Sequence, residues 1–184
     1  MDSKAKMSRE ERLVDRAIRG DARAFGLLYE RHLDAIYRYI YFRVANAADA
    51  EDLTEEVFIR AWEAISAFDS AGQGSFLSWI YRIAHNRVVD HYRKRQPLSW
   101  TSDRLALETA NSPTVEETTH RNQDAARLAE AISQLDDTEQ QVIILRFVEG
   151  LPHAEVAQML GKSEGASRVI QHRALINLKE ILDR

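Results

Sequence analysis

The chain has 184 residues, of which 45% are hydrophobic, and it carries a formal net charge of −4. This composition supports ordinary globular cores, and the negative charge argues against a simple polycation that coats DNA. The chain has no cysteine, which excludes disulfides and thiolate zinc sites, and it has no membrane-length apolar run or signal-peptide pattern, so we predict a cytoplasmic protein without membrane insertion.

Helical periodicity dominates the first half of the chain. Only seven glycines and three prolines occur, and no segment alternates cleanly between polar and apolar residues, so the sequence predicts an all-α fold. The predicted helices of this half are Arg9 to Arg19, Ala22 to Val44, Asp52 to Ala67 and Ser75 to Lys94. They predict one compact N-terminal domain, residues 1–95.

The third of these helices is strongly acidic. Residues 49–63 hold six acids against one base. Asp52 and Glu55 have the spacing of a capping box, which would place the helix start there. The outward positions of this helix are Glu56, Ile59 and Glu63. An aliphatic side chain between acids indicates either a protein-docking surface or a plain solvated face.

The fourth predicted helix, FLSWIYRIAHNRVVDHYRKR, is basic and aromatic. Opposite its apolar stripe, four residues recur at spacings of three, four and seven: Trp79, Arg82, Asn86 and Arg93. An indole among arginines suits the stacking of unpaired bases beside phosphate contacts. Alternatively, Trp79 packs under a neighbouring helix and the arginines are merely solvated. A membrane-surface helix fits less well because Asp90 lies on the polar side.

No catalytic or metal chemistry is predicted. His85, Asp90 and His91 are close in sequence, but the two histidines lie about 120° apart on the helical wheel and so do not converge on one metal ion. The sequence has no evident nucleophile, phosphate loop or coherent carboxylate pair. We therefore predict no enzyme activity, no metal site and no cofactor.

The second half of the chain begins after a change in composition. In residues 96–121 the apolar period disappears and Pro, Ser, Thr and Glu accumulate, which predicts a flexible linker. Residues 122–184 then predict a second small helical domain. Its predicted helices are Gln123 to Gln134, Thr138 to Glu149, His153 to Leu160 and Glu164 to Leu182.

The last two of these helices have the pattern of a helix-turn-helix. Pro152 suits a first helical turn, Gly161 a left-handed turn, and Ser163 an N-cap. On the final helix the outward basic residues are Arg168, His172 and Lys179. Such a face can enter a DNA major groove, or it can be the solvated side of an ordinary helical hairpin.

Several ordered motifs resemble one protein family. GDARAFGLLYERH, DAEDLTEEVFIRAWEAI and FLSWIYRIAHNRVVDHYRKR resemble successive parts of region 2 of bacterial RNA polymerase sigma factors of the sigma-70 family, in the extracytoplasmic-function (ECF) group. LDDTEQQVIILRFVEGLPHAEVAQMLGKSEGASRVIQHRAL resembles region 4. The resemblance implies a transcription initiation factor that binds core RNA polymerase, recognises a −35 duplex and melts a −10 element. It also implies an anti-sigma factor that keeps the protein inactive until a stress signal and that could hold it at the membrane.

The resemblance also implies residue roles. The acidic helix would bind the clamp helices of the polymerase β′ subunit through Asp49, Asp52, Glu55, Glu56, Ile59 and Glu63, while region 4 would meet the β flap. The −10 element would be held by Trp79, Arg82, Asn86 and Arg93. The −35 element would be read by Ser163, Ser167, Arg168, Gln171, His172, Arg173 and Lys179.

The sequence departs from the family pattern in its last helix. GASRVIQHRAL differs from the commoner GTVKSRLHRAR at positions that include Ala166, Ser167, Val169, Ile170 and Gln171. The −35 preference of familiar members therefore does not transfer. Two other functions stay open: a conventional helix-turn-helix regulator that acts without polymerase, and a helical adaptor without a nucleic-acid partner. The regulator leaves the acidic helix and Trp79 unexplained.

Overall fold

The structure is a computed structural model that describes residues 8–95 and 119–183. Its regular elements in these two ranges are all helical, so the predicted all-α fold is confirmed. The helices are α1 (Arg9–Ile18), α2 (Ala22–Val44), α3 (Ala47–Ala64), α4 (Ser70–Gln73), α5 (Phe76–Arg95), α6 (Thr119–Ser133), α7 (Asp137–Ile143), α8 (His153–Met159) and α9 (Glu164–Leu182). A 3₁₀ turn, Ile65–Ala67, follows α3, and a π turn, Ile144–Val148, extends α7.

The N-terminal half, residues 8–95, is a bundle in which α2 packs against α1, α3 and α5. Its fully buried aliphatic side chains come from all three of the longest helices: Leu28, Ile36, Ile40, Val57, Ile80 and Val88. The apolar stripes that predict these helices therefore meet in one core. This packing fixes the outward faces of α3 and α5, which carry the candidate binding residues.

Helix α3 begins earlier than predicted. Asn46 is its N-cap, and the side-chain oxygen of Asn46 accepts a hydrogen bond from the Asp49 amide at 3.0 Å. The preceding residue, Ala45, ends α2 in the left-handed conformation with φ 52°, so the two helices are separated by a very tight turn. Asp52 and Glu55 lie inside the helix, and the capping box predicted for them is wrong.

The C-terminal half, residues 119–183, contains the predicted helix-turn-helix in α8 and α9. Gly161 adopts φ 61° after α8, and Ser163 caps α9 by accepting from the Ala166 amide at 3.1 Å. Both predictions are confirmed. Pro152 is the N-cap of α8, whose first residue is His153 as predicted.

Most of the predicted linker, residues 96–118, lies outside the described residues. The last three residues of that prediction, 119–121, belong to α6. Within the described part of the chain, no helix combines the length and the apolar character that a membrane span requires.

The two halves touch in this conformation, chiefly through α2 against α6 and the π turn. Two ion pairs cross the contact. Arg38 donates from Nε and Nη2 to the two Glu149 carboxylate oxygens at 3.1 and 2.9 Å, and Arg43 donates to Asp137 at 2.5 Å. We call Arg38–Glu149 and Arg43–Asp137 the interdomain ion pairs.

Candidate protein and nucleic-acid interfaces

The acidic face of α3 is open to solvent. Leu53, Val57 and Ala61 recur at helical spacing and are buried in the core. The acids therefore lie on the opposite, outer side of the helix. The exposed residues on the outer side include Asp52, Glu55, Glu56, Ile59 and Glu63. Asp49 differs, since it is partly buried and its carboxylate lies 3.7 Å from the His91 ring.

An apolar groove lies beside this face and was missed by sequence reasoning. It encloses about 450 Å³ and is lined by Phe25, Tyr29, Glu55, Phe58, Ile59, Trp62 and Glu63. The rings of Phe25 and Trp62 are 5.0 Å apart, and those of Tyr29 and Phe58 are 4.7 Å apart. The i,i+4 spacing of the aromatics on each helix was the available signal. An apolar groove with an acidic rim suits an amphipathic helix that carries basic residues.

From Arg82 onward, the outer side of α5 presents the predicted polar face. Arg82, Asn86 and Arg93 are exposed, and Val89 lies among them with 41% exposure. Arg93 also pairs with Asp90 on the same helix at 2.9 Å. This exposed strip of guanidinium and amide groups is chemically suited to phosphates and base edges.

Trp79 is not part of that exposed strip. Its ring is 8% exposed and packs 5.0 Å from Phe68 and 5.7 Å from Phe76. The connection between α3 and α5 places Phe68 against the beginning of α5. The side of α5 that carries Trp79 is therefore buried there as well as the side that faces the core. Of the two alternatives that the sequence leaves open for Trp79, packing under a neighbouring segment is the one that the structure shows.

The outer face of α9 carries the predicted basic residues. Arg168, His172 and Lys179 are all exposed. Arg168 and His172 occur in the first half of the helix, whereas Lys179 lies about 16 Å from Arg168 along the axis. Ser163 is exposed, but its hydroxyl is engaged in the cap of α9.

Three other predicted DNA contacts on α9 are engaged inside the domain. Ser167 is fully buried and lies 3.0 Å from Nδ1 of His153 on α8. Gln171 is partly buried and accepts from Arg146 Nε at 3.3 Å. Arg173 donates to Glu139 at 2.6 Å and to Asp136 at 3.1 Å. These side chains help to hold α9 in place. Complete burial rules out direct contact with DNA for Ser167. Gln171 is only partly buried and the Arg173 side chain is 58% exposed, so their contacts with DNA stay predictions.

The hydrogen bond between His153 and Ser167 joins the two helices of the helix-turn-helix. Burial lowers the pKa of His153, and the positive charges of Arg146 and Arg168 lower it further. The neutral ring is thus favoured at neutral pH, which keeps additional positive charge out of the contact between α8 and α9.

Comparison with known proteins shows that both halves of the chain match regions of one protein family. The sigma-70 region 2 family matches residues 28–97, and the sigma-70 region 4 family matches residues 131–180. The ECF RNA polymerase sigma factor BldN of Streptomyces coelicolor is 41% identical over 173 residues, which cover 92% of this chain and 64% of BldN. The RNA polymerase sigma factor NccH of Alcaligenes xylosoxydans xylosoxydans is 32% identical over 171 residues, covering 90% of this chain and 91% of NccH.

The chain therefore spans less than two thirds of BldN but nearly all of NccH. Among solved structures, CnrH in complex with the cytosolic domain of CnrY matches with a TM-score of 0.71 and 28% identity. That match covers 93% of this chain and 95% of the other chain. The similarity thus extends through both helical halves.

Proposed function

This chain belongs to the sigma-70 family of RNA polymerase sigma factors, in the ECF group, and from that membership we propose that it binds core RNA polymerase and directs it to specific promoters. One observation carries the proposal. The acidic face of α3, with its apolar groove, and the basic outer face of α9 are both exposed on the same chain. A protein that joins a basic polymerase surface to duplex DNA needs both faces.

The N-terminal half would serve as region 2, within residues 1–95. The clamp helices of the polymerase β′ subunit would occupy the groove beside Ile59 and meet the acids along its rim. The predicted contacts Asp52, Glu55, Glu56 and Glu63 then supply charge complementarity, which favours rapid and specific association. Asp49 is better placed to orient His91.

The exposed face of α5 would hold the −10 element as a single strand. Arg82 and Arg93 would bind phosphates, and Asn86 would hydrogen-bond to a base edge. Extruding a base costs a few kcal/mol, which these contacts must offset. Trp79 would act indirectly, by fixing the beginning of α5 against the connection from α3.

The C-terminal half would serve as region 4, within residues 122–184, and would read the −35 duplex through α9. Arg168 and His172 would meet base edges or phosphates in the major groove, as residues near the beginning of a recognition helix do. Lys179 would bind a phosphate farther along the helix. The same half would contact the β flap of the polymerase.

An anti-sigma factor is the proposed regulator. CnrH, to which this chain is similar, forms a complex with the cytosolic domain of CnrY. We extend such a partnership to this chain, with release on a stress signal. The protein would work in the cytoplasm, and a membrane-bound anti-sigma factor could hold it at the membrane.

The test is reconstitution with purified core polymerase and genomic DNA. Promoter-specific transcripts should appear only when the protein is added. Ile59→Glu should weaken binding to the core, because it places a charge in the apolar groove. Arg168→Ala should leave core binding unchanged and weaken transcription that depends on the −35 element. Failure of the unmodified protein to bind core polymerase, together with tight binding to duplex DNA alone, would instead identify a conventional DNA-binding regulator.

A further inference from the structure

Val169 is the most exposed large apolar side chain in the described part of the protein, at 69%. It lies on the side of α9 opposite Ser167 and Ala174, which are both fully buried. Val169 therefore contributes little to the packing of α9 on its own domain.

A single exposed aliphatic residue is ordinary on a protein surface, so exposure alone does not indicate that Val169 binds anything. The residues around it provide the further evidence. Arg168, Val169 and His172 fall within an arc of about 100° on the helical wheel. All three are exposed. They are the fifth, sixth and ninth residues of α9, and the N-terminal residues of a recognition helix are those that meet base edges. Val169 thus lies beside His172, at one edge of the face that would enter the groove.

The major groove has one apolar landmark, the C5 methyl group of thymine. An isopropyl group such as that of Val169 can pack against this methyl group and remove apolar surface of both from water. Arg168 can bind a guanine edge or a phosphate beside it. The side chains of this face therefore complement a thymine next to a guanine or phosphate contact.

We infer that Val169 is a specificity-determining residue that packs against the methyl group of one thymine in the −35 duplex. The inference rests on the proposed function and extends it to a chemical group of the DNA.

The experiment removes only the methyl group. Start sites of the transcripts made by the reconstituted holoenzyme define the −35 duplex, and each thymine in it is then replaced by deoxyuridine. Binding of the holoenzyme should weaken about fourfold at one position, the effect of losing one buried methyl group. Val169→Ala should weaken binding to the unmodified duplex by a similar factor and should abolish the effect of deoxyuridine.

Ile176→Ala is the matched control. Ile176 is also apolar and 47% exposed on α9, but it lies about 10 Å farther along the helix axis. This variant should keep the full effect of deoxyuridine. Thermal unfolding should confirm that both alanine variants are folded, since alanine favours helix.

Two results would overturn the inference: no thymine at which deoxyuridine weakens binding, or a Val169→Ala variant that retains the full deoxyuridine penalty. Either result with promoter-specific transcripts present leaves the proposed function intact. Absence of such transcripts would reject the proposed function itself.

Discussion

Trp79 stabilises the beginning of α5 through its contacts with Phe68 and Phe76. Truncating a buried aromatic side chain removes its transfer free energy and leaves a cavity. We expect Trp79→Ala to lower the free energy of unfolding by about 3–5 kcal/mol, and Trp79→Phe to lower it by less. Urea unfolding measures both values. A Trp79→Ala variant as stable as the unmodified protein would instead return Trp79 to the DNA-binding surface.

His85 makes the contact between the two halves sensitive to pH. Its Nδ1 lies 3.4 Å from Arg43 Nη1 and 3.9 Å from Asp137 Oδ1. Burial lowers the pKa of His85 from 6.5, and although Asp137 raises it, Arg43 lowers it further. Because its pKa is lower in the folded protein than in the unfolded chain, His85 favours folding while its ring is neutral. This contribution to the free energy of unfolding is fully present above about pH 6.5 and is lost as the pH falls through the lowered pKa of the folded protein.

The measurement is an NMR titration of the His85 ring, which should give a midpoint below 6.5. His85→Gln should also remove part of the loss of stability between pH 7 and pH 5.5. A midpoint at or above 6.5 would contradict the burial of the ring against Arg43.

At the scale of the helix, α9 is held to α7 by a buried carboxylate. The Glu139 side chain is 3% exposed and accepts from Arg173 Nε at 2.6 Å and from Asn177 Nδ2 at 3.0 Å. Burial alone would raise the pKa of Glu139, but these hydrogen bonds bring it below 4.5. A side chain that appears basic and available in the sequence therefore has a structural role.

Arg173→Ala and Arg168→Ala form a matched pair on this helix. Loss of Arg173 leaves the Glu139 carboxylate buried with fewer hydrogen-bond donors, and we expect the free energy of unfolding to fall by more than in Arg168→Ala. Arg168 makes only an exposed contact with Glu164 at 3.5 Å, so its removal should leave stability within about 0.5 kcal/mol of the original and weaken DNA binding. Thermal unfolding measures the structural role of Arg173, and binding to duplex DNA measures the DNA-binding role of Arg168. Equal losses of stability in the two variants would contradict the assignment of these different roles.

Helices could be predicted from sequence because their determinants are local. Ser163 and Gly161 mark the ends of α9 and α8 within a few residues, and apolar stripes fix the inward faces. The start of α3 was missed because the capping-box spacing of Asp52 and Glu55 predicts a helix start there, whereas Asn46 is the N-cap. The burial of Trp79 depends on Phe68, which is brought over α5 by the path of the chain. No local pattern encodes that contact.

At the scale of the molecule, the two halves must separate for the proposed function. Elements at −35 and −10 are about 25 base pairs apart, which is about 85 Å along B-DNA. A compact chain of 184 residues is about 40 Å across. Both DNA faces therefore cannot engage one straight promoter while α2 packs against α6 and the π turn. The interdomain ion pairs join residues 111 and 94 positions apart, and a helix pattern does not reveal such partners.

The Arg38–Glu149 pair should control this opening. The Glu149 side chain is 5% exposed, whereas Arg38 is 46% exposed, so part of the attraction is screened by water. We expect Arg38→Glu to weaken the contact between the halves by about 2 kcal/mol, a shift of about 30-fold toward the separated state. Glu149→Arg should do the same, and the double reversal should restore the contact because it restores the pair.

Since the chain has no cysteine, Glu30→Cys and Glu180→Cys provide two unique fluorophore positions, both exposed and one in each half. Energy transfer between the two dyes should fall in each single reversal and recover in the double reversal. A fall that persists in the double reversal would mean that shape, and not this ion pair, holds the halves together. Transcription should respond in the opposite sense, because the separated state is the one that can reach both promoter elements.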